Sequence, residues 1–176
     1  MENILSFEKV SYSYNSNAKV LKDVDIEFET GKFYTIIGQS GSGKTTLISL
    51  ACGLDSPSSG NISYKGRSLK SISLEKYRNK YVSIIFQGYN LLNYMNAIEN
   101  ITSAMSIKGI KTKDNKQAAI DMLKRVGISE TQGMQKTLTL SGGQQQRVAI
   151  ARALCCQCEL IIADEPTGNL DENTSK

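Results

Sequence analysis

The stretch Gly38-Gln39-Ser40-Gly41-Ser42-Gly43-Lys44-Thr45 fits the pattern G-x-x-x-x-G-K-[ST]. Its chemistry is phosphate binding. Glycines let successive backbone amides turn inward around a diphosphate without a Cβ clash, and the start of a following helix adds positive potential. In this pattern Lys44 reaches the β- and γ-phosphates and the Thr45 hydroxyl ligates Mg²⁺. A second chemical pair stands far along the chain. The apolar run Leu160-Ile161-Ile162-Ala163 ends in Asp164-Glu165. Asp164 is suited to hold Mg²⁺ directly or through water, and Glu165 to orient or deprotonate an attacking water. The 176 residues contain no histidine. That removes Ser-His-Asp triads, Cys-His pairs and His-ligated zinc from consideration.

Groups so far apart in sequence need a scaffold to position them. Phe33 to Ile37 reads as a buried strand leading into the glycine loop, and a helix pattern starts near Lys44 and runs to about Leu54. Val24, Ile26 and Phe28 alternate with acids, as in a half-buried strand. Leu5 and Phe7 alternate, followed by Val10, Tyr12 and Tyr14. Asn61 to Tyr64 and Tyr81 to Phe86 read as further strands. Ala97 to Ile107 reads as a helix. From Asp114 to Val126 a helical face carries Ala119, Met122, Leu123 and Val126, and Gly127 supplies the stop. Residues 91–140 therefore look like a helical insertion. Strands alternating with helices predict an α/β core with a mainly parallel sheet.

Composition adds bounds. Hydrophobic residues make up 40% and charged residues 22%, a globular balance. Net charge is +4, with no run of like charges to mark a nucleic-acid tail. No apolar stretch approaches the length of a transmembrane helix, and the start lacks the apolar region of a signal peptide. Cys52, Cys155, Cys156 and Cys158 are then expected to be reduced thiols. Cys155 and Cys158 form a CxxC spacing, for which small apolar packing at a helix end is the plain expectation.

Leu140-Ser141-Gly142-Gly143-Gln144 resembles the LSGGQ signature of ABC-type ATPases. Locally, Ser141 and Gln144 form an S-x-x-Q capping box at a helix start. The resemblance implies a P-loop NTPase (RecA-like) core with an N-terminal antiparallel β subdomain and an inserted α-helical subdomain. The whole chain would be one ABC ATPase domain, with 1–90 and 141–176 as core plus β subdomain and 91–140 as helical subdomain. It implies that Gly38 to Thr46 bind ATP and that Gln87 contacts Mg²⁺ and water. Ser141, Gly142, Gly143 and Gln144 would address the ATP of the opposite protomer in a head-to-tail homodimer. Tyr14 looks like the aromatic that stacks on adenine, with Tyr12 the alternative. Asp171 looks like the aspartate that communicates across the dimer.

Asp164 to Asp171 reads DEPTGNLD, and Phe86 to Leu92 begins a segment ending in Glu99-Asn100-Ile101. Both are similar to ATPases of the lipoprotein-releasing, macrolide-export and antimicrobial-peptide-export group. Asn93 and Cys158 stand where that group often has proline. The group implies ATP hydrolysis driving export through a transmembrane permease that contacts Tyr89 to Asn96. It also implies a cytoplasmic location at the inner face of the membrane and no nucleic-acid partner. Family members continue past Asp171 to a switch histidine, so the expectation for 176 residues is ATP binding with weak hydrolysis. The alternatives are a non-hydrolysing ATP-binding fragment and a non-transport ABC ATPase.

Overall fold

The computed structural model describes residues 2–15 and 18–166. The chain divides into two compact units, the first running to Tyr81 and the second starting at Val82.

The first unit is built on an antiparallel sheet. Strands β1 (Asn3–Asn15), β2 (Ala18–Glu29), β3 (Ser59–Tyr64) and β4 (Arg67–Ser68) lie in the order β2-β1-β3-β4. In β1, Leu5 faces Phe28 on one side and Tyr64 on the other, and Phe7 likewise faces Ile26 and Ile62. The step from Phe7 to Val10 is a bulge, with Lys9 at φ 47°. One extra residue resets the alternation, so Leu5, Phe7, Val10 and Tyr12 are all buried although 7 and 10 differ by three. Gly60 makes the bulge possible. A Cβ there would lie within 2.6 Å of the carbonyl oxygens of Glu8 and Lys9.

Helix α1 (Lys44–Ala51) follows the glycine loop, ending a turn earlier than its apolar pattern suggests. Helix α2 (Leu74–Lys80) is capped by the Ser73 hydroxyl, which accepts from the Lys76 amide. Its Tyr77 is fully buried and donates its hydroxyl to the Ala51 carbonyl at 2.9 Å. That burial pushes the phenol's pKa up.

The predicted strand from Phe33 to Ile37 is not a strand. These residues carry no ladder, and Phe33 and Ile37 are 94% and 90% exposed. An apolar run states only that a segment could pair. A strand also needs a neighbour for its backbone groups, and no described strand pairs with this one. The parallel sheet is correspondingly small, with two strands among the described residues.

The second unit contains β5 (Val82–Ile85), α3 (Ala97–Ile107), α4 (Asn115–Arg125), α5 (Glu130–Gly133), α6 (Gly142–Cys155) and β6 (Leu160–Ala163). Strands β5 and β6 pair in parallel, Val82 with Leu160 through Ile85 with Ala163. Capping chemistry sets the helix starts. Asn96 and Glu99, Ser129 and Gln132, and Ser141 and Gln144 each form a reciprocal capping box. Gly127, at φ 76°, lies just beyond the C-terminus of α4. Helices α3, α4 and α6 share a core of Ile98, Ile101, Met105, Leu123, Ile128 and Val148. Asn100 is buried in it with all its needs met. It bonds the backbone of Leu92 in both directions and donates to the Asn96 carbonyl. Among the described residues, no helix is long and apolar enough to cross a membrane.

The shared helical core predicts a cost for truncation at its centre. Leu123→Ala, at a fully buried site, should lower unfolding free energy by about 3 kcal/mol. Urea denaturation followed by circular dichroism measures this, and a loss below about 1 kcal/mol would contradict the packing.

Candidate functional site

In the first unit the glycine loop is exposed from Gly38 to Ser42. Gly41 has φ 78° and Gly43 φ 94°, a backbone hand that costs glycine nothing. At Gly43 space is also limiting, since a Cβ would lie 3.0 Å from Leu21 Cδ2 and 3.4 Å from the Val20 carbonyl oxygen. Gly43 is the N-cap of α1, and no side chain caps that end. Amides of a helix's first turn lack intrahelical partners, so such an end suits an anion. Lys44 Nζ donates to the carbonyls of Gly38 and Gln39 at 2.8 and 2.9 Å. Its ammonium thus lies over the loop. Gln39, Ser40, Ser42 and Thr45 are exposed, whereas Thr46 is buried.

Tyr12 and Tyr14 share a face of β1, with ring centroids 5.0 Å apart. They are not equivalent. Tyr12 is buried and donates its hydroxyl to the Asp55 carboxylate, a bond that pushes its pKa up to about 12. Tyr14 is 64% exposed, with its hydroxyl 3.0 Å from Thr46 Oγ1. Of the two, Tyr14 is the more exposed.

In the second unit, Gln87 and Glu165 meet. The ladder pairs Ile85 with Ala163, and the Asp164 amide extends it by donating to the Ile85 carbonyl at 2.9 Å. Gln87 and Glu165 each lie two residues past that pair. Gln87 Nε2 donates to Glu165 Oε2 at 2.7 Å. Glu165 has φ 45°, a left-handed backbone uncommon for a non-glycine residue. Asp164 is half-buried beside it, and Glu165 is exposed.

The LSGGQ stretch opens α6. The Ser141 hydroxyl accepts from the Gln144 amide at 3.3 Å, and Gln144 Oε1 accepts from the Ser141 amide at 2.8 Å. Ser141 and Gly142 are exposed and Gly143 is half-buried. Asp171 lies outside the described residues. Arg152, not singled out from sequence, enters here, together with a contact of Tyr89 that the sequence does not show. Arg152, on α6, donates to the carbonyls of Tyr89 and Asn90. The Tyr89 hydroxyl lies 3.2 Å from where a Cβ on Gly142 would stand. Neither contact has a local sequence signal.

In the first unit Thr45 offers a hydroxyl oxygen, and in the second Gln87 and Asp164 offer amide and carboxylate oxygens, all hard donors of the kind Mg²⁺ takes. The thiols are different. Cys52, Cys155 and Cys156 are buried and Cys158 is partly exposed, and all four are thiols. Among the described residues no three cysteine, histidine or carboxylate side chains gather as metal ligands. Burial pushes the Cys155 thiol up to about 11 and also raises Cys156.

A glycine phosphate loop opening a helix, a strand-end carboxylate held by a glutamine, and a capped LSGGQ helix together define an ABC ATPase cassette, a P-loop NTPase of mixed α/β fold. The ABC transporter family model matches residues 21–168, and the chain belongs to that family. It is 58% identical over 174 residues to the uncharacterized ABC transporter ATP-binding protein YclH of Bacillus subtilis (strain 168), covering 98% of this chain and 77% of that one. It is 39% identical to the lipoprotein-releasing system ATP-binding protein LolD of Pseudoalteromonas translucida (strain TAC 125), covering 97% and 74%. Among solved structures, the dimeric bacterial ABC transporter cassette MJ0796 superposes with a TM-score of 0.88 at 33% identity, covering 97% of this chain and 78% of that one. A post-hydrolysis dimer of the same cassette, bound to ADP and Pi, also gives 0.88, at 32% identity and 97% and 77% coverage.

Thiol burial predicts an order of reactivity. At pH 8.5 under about one per cent of Cys155 is thiolate in the folded chain, given a pKa near 11. Iodoacetamide followed by peptide mass spectrometry should label Cys158 first, with Cys155 and Cys156 reacting only after denaturation. Equal labelling of all three in the folded chain would contradict their placement.

Proposed function

We propose that this chain is the ATP-binding and hydrolysing subunit of an ABC exporter of the lipoprotein-releasing type. The observation that carries the reading is the Gln87–Glu165 pair, which lies beyond the ends of two in-register parallel strands. A carboxylate held there by a neutral amide is suited to orient a water for attack on a γ-phosphate, a reaction that depends on alignment and charge stabilisation. Substrate is MgATP. Gly38, Gln39, Ser40, Gly41, Ser42, Gly43, Lys44, Thr45 and Thr46 bind its phosphates, and Tyr14 stacks on its base. Lys44 exchanges its two loop carbonyls for phosphate oxygens. Thr45, Gln87 and Asp164 hold the metal ion that arrives with the nucleotide.

Two copies close head to tail, and Ser141, Gly142, Gly143 and Gln144 of one copy complete the site of the other, with Asp171 at the crossing. The dimeric cassettes to which this chain is similar, one of them bound to ADP and Pi, support this arrangement. Residues 91–140 form the helical part that turns towards a transmembrane permease, and Tyr89 to Asn96 are the contact. Leu92 and Tyr94 in that segment are exposed apolar side chains, and the relationship to lipoprotein-releasing ATP-binding proteins supports an export partner. The subunit then works at the inner face of the membrane, without nucleic acid.

Two variants and one dilution series test this. Lys44→Ala should weaken MgATP binding at least about ten-fold, as loss of a charge-assisted phosphate contact requires. Fluorescence of a labelled nucleotide measures it, and unchanged affinity would remove Lys44 from the site. Glu165→Gln should retain binding and stabilise a MgATP-dependent dimer in sedimentation velocity. A Glu165→Gln chain that stays monomeric at saturating MgATP would sink the shared-site arrangement. Rate per chain should fall on dilution below the dimer dissociation constant, and a flat rate would count against it equally.

A further inference from the structure

The turn after β5 is built in an expensive way. Tyr89 and Asn90 both have left-handed backbones, at φ 59° and 49°. Asparagine tolerates that region, whereas a tyrosine there crowds its Cβ against the following carbonyl. The turn's own bonds are short-range, from the Tyr89 amide to the Phe86 carbonyl at 3.1 Å and from the Asn90 amide to the Gly88 carbonyl at 2.6 Å. Consecutive residues of one backbone hand point their carbonyls towards the same side, and a donor fork fits that arrangement. Arg152 supplies it. Nη2 donates to the Tyr89 carbonyl at 2.7 Å and Nη1 to the Asn90 carbonyl at 2.6 Å. The guanidinium is half-buried, and desolvation pushes its pKa down, so these carbonyls offset the cost of placing a cation there.

This fork has consequences at both ends of the turn. Two residues before Tyr89 stands Gln87, whose side chain holds Glu165. At the other end of the Tyr89 side chain, the hydroxyl lies 3.2 Å from where a Cβ on Gly142, at the start of α6, would stand. Arg152 lies ten residues further along the same helix, about 15 Å of rise. Tyr89 is therefore held by α6 through its carbonyl, and its hydroxyl lies near the start of the same helix.

We propose that Arg152 is a positioning residue for the hydrolytic pair. By holding Tyr89 and Asn90 in the left-handed turn it fixes the approach of Gln87 to Glu165, and it ties that approach to the helix that carries the LSGGQ stretch. This rests on the functional reading above, and it adds a link to it. The helix that completes one nucleotide site also sets the carboxylate of its own chain's site, so closure at one is felt at the other. Lysine is a poor substitute, because a point charge cannot serve two carbonyls with a rigid fork.

The test uses the full chain with ¹⁵N-labelled glutamine, the Gln87 side-chain signals being assigned by their loss in Gln87→Asn. Arg152→Met keeps the bulk and removes the donors. It should shift the Gln87 amide signals and speed their exchange with water about ten-fold, while labelled-nucleotide affinity stays within about three-fold. Arg152→Lys should fall between parent and Arg152→Met. Gly142→Ala, which pushes the Tyr89 hydroxyl from the other side, should also move the Gln87 signals. Unmoved Gln87 signals in folded Arg152→Met would overturn the proposal, because packing alone would then suffice. Should Arg152→Met not fold, Arg152→Lys decides, and unmoved signals there overturn it equally. A parent chain that fails to bind labelled MgATP contradicts the functional reading instead and leaves the NMR outcome to stand separately.

Discussion

Val82–Ile85 and Leu160–Ala163 form a parallel ladder four residues long, and the chemistry of the second unit hangs from its register. Parallel pairing carries both strands in the same direction, so residues at equal distance past a pair emerge side by side. Ile85 opposite Ala163 therefore sends Gln87 and Glu165 out together. The Asp164 amide, bonded to the Ile85 carbonyl, holds the alignment one step beyond the last pair. A slip of one residue would reverse which side chains face each way along β6. Asp164 and Glu165 would then exchange places, and with them the roles proposed for them as metal ligand and water-orienting base.

Helix α6 serves several of these demands at once. Its first turn is closed by its own Ser141–Gln144 capping box. Its middle residues, Val148 and Ala151, join the core shared with α3 and α4. Its later residue Arg152 reaches the turn that follows β5, and Cys155 and Cys156 are buried at its end. The cysteines are small enough to pack there, and their depressed acidity keeps them as quiet thiols.

Features whose cause is local were legible in the sequence. Ala97 to Ile107 is a helix because Asn96 and Glu99 cap it and its apolar face repeats. The S-x-x-Q box at Ser141 and the glycine stop at Gly127 have the same character. The glycine loop was readable because its glycines answer φ values other residues avoid, at Gly41 and Gly43. Features set by partners were not. Phe33 to Ile37 has the composition of a buried strand, but ladder and burial come from elsewhere in a fold, and this segment is unpaired in any ladder and exposed. The choice between Tyr12 and Tyr14 was open because it depends on the bulge at Lys9 and on Asp55, 43 residues away from Tyr12. Arg152 reads in sequence as an ordinary helical arginine. Its role needs the backbone hand of Tyr89, which no residue pattern announces.

Strand register delivers Gln87 to Glu165. A NOESY spectrum of the full chain tests it most directly. Cross-peaks are expected between the Gln87 side-chain amide protons and the Glu165 Cγ protons, alongside interstrand peaks for Ile85 and Ala163. Interstrand peaks without the Gln87–Glu165 contact would contradict it, because an intact ladder would then not bring the pair together.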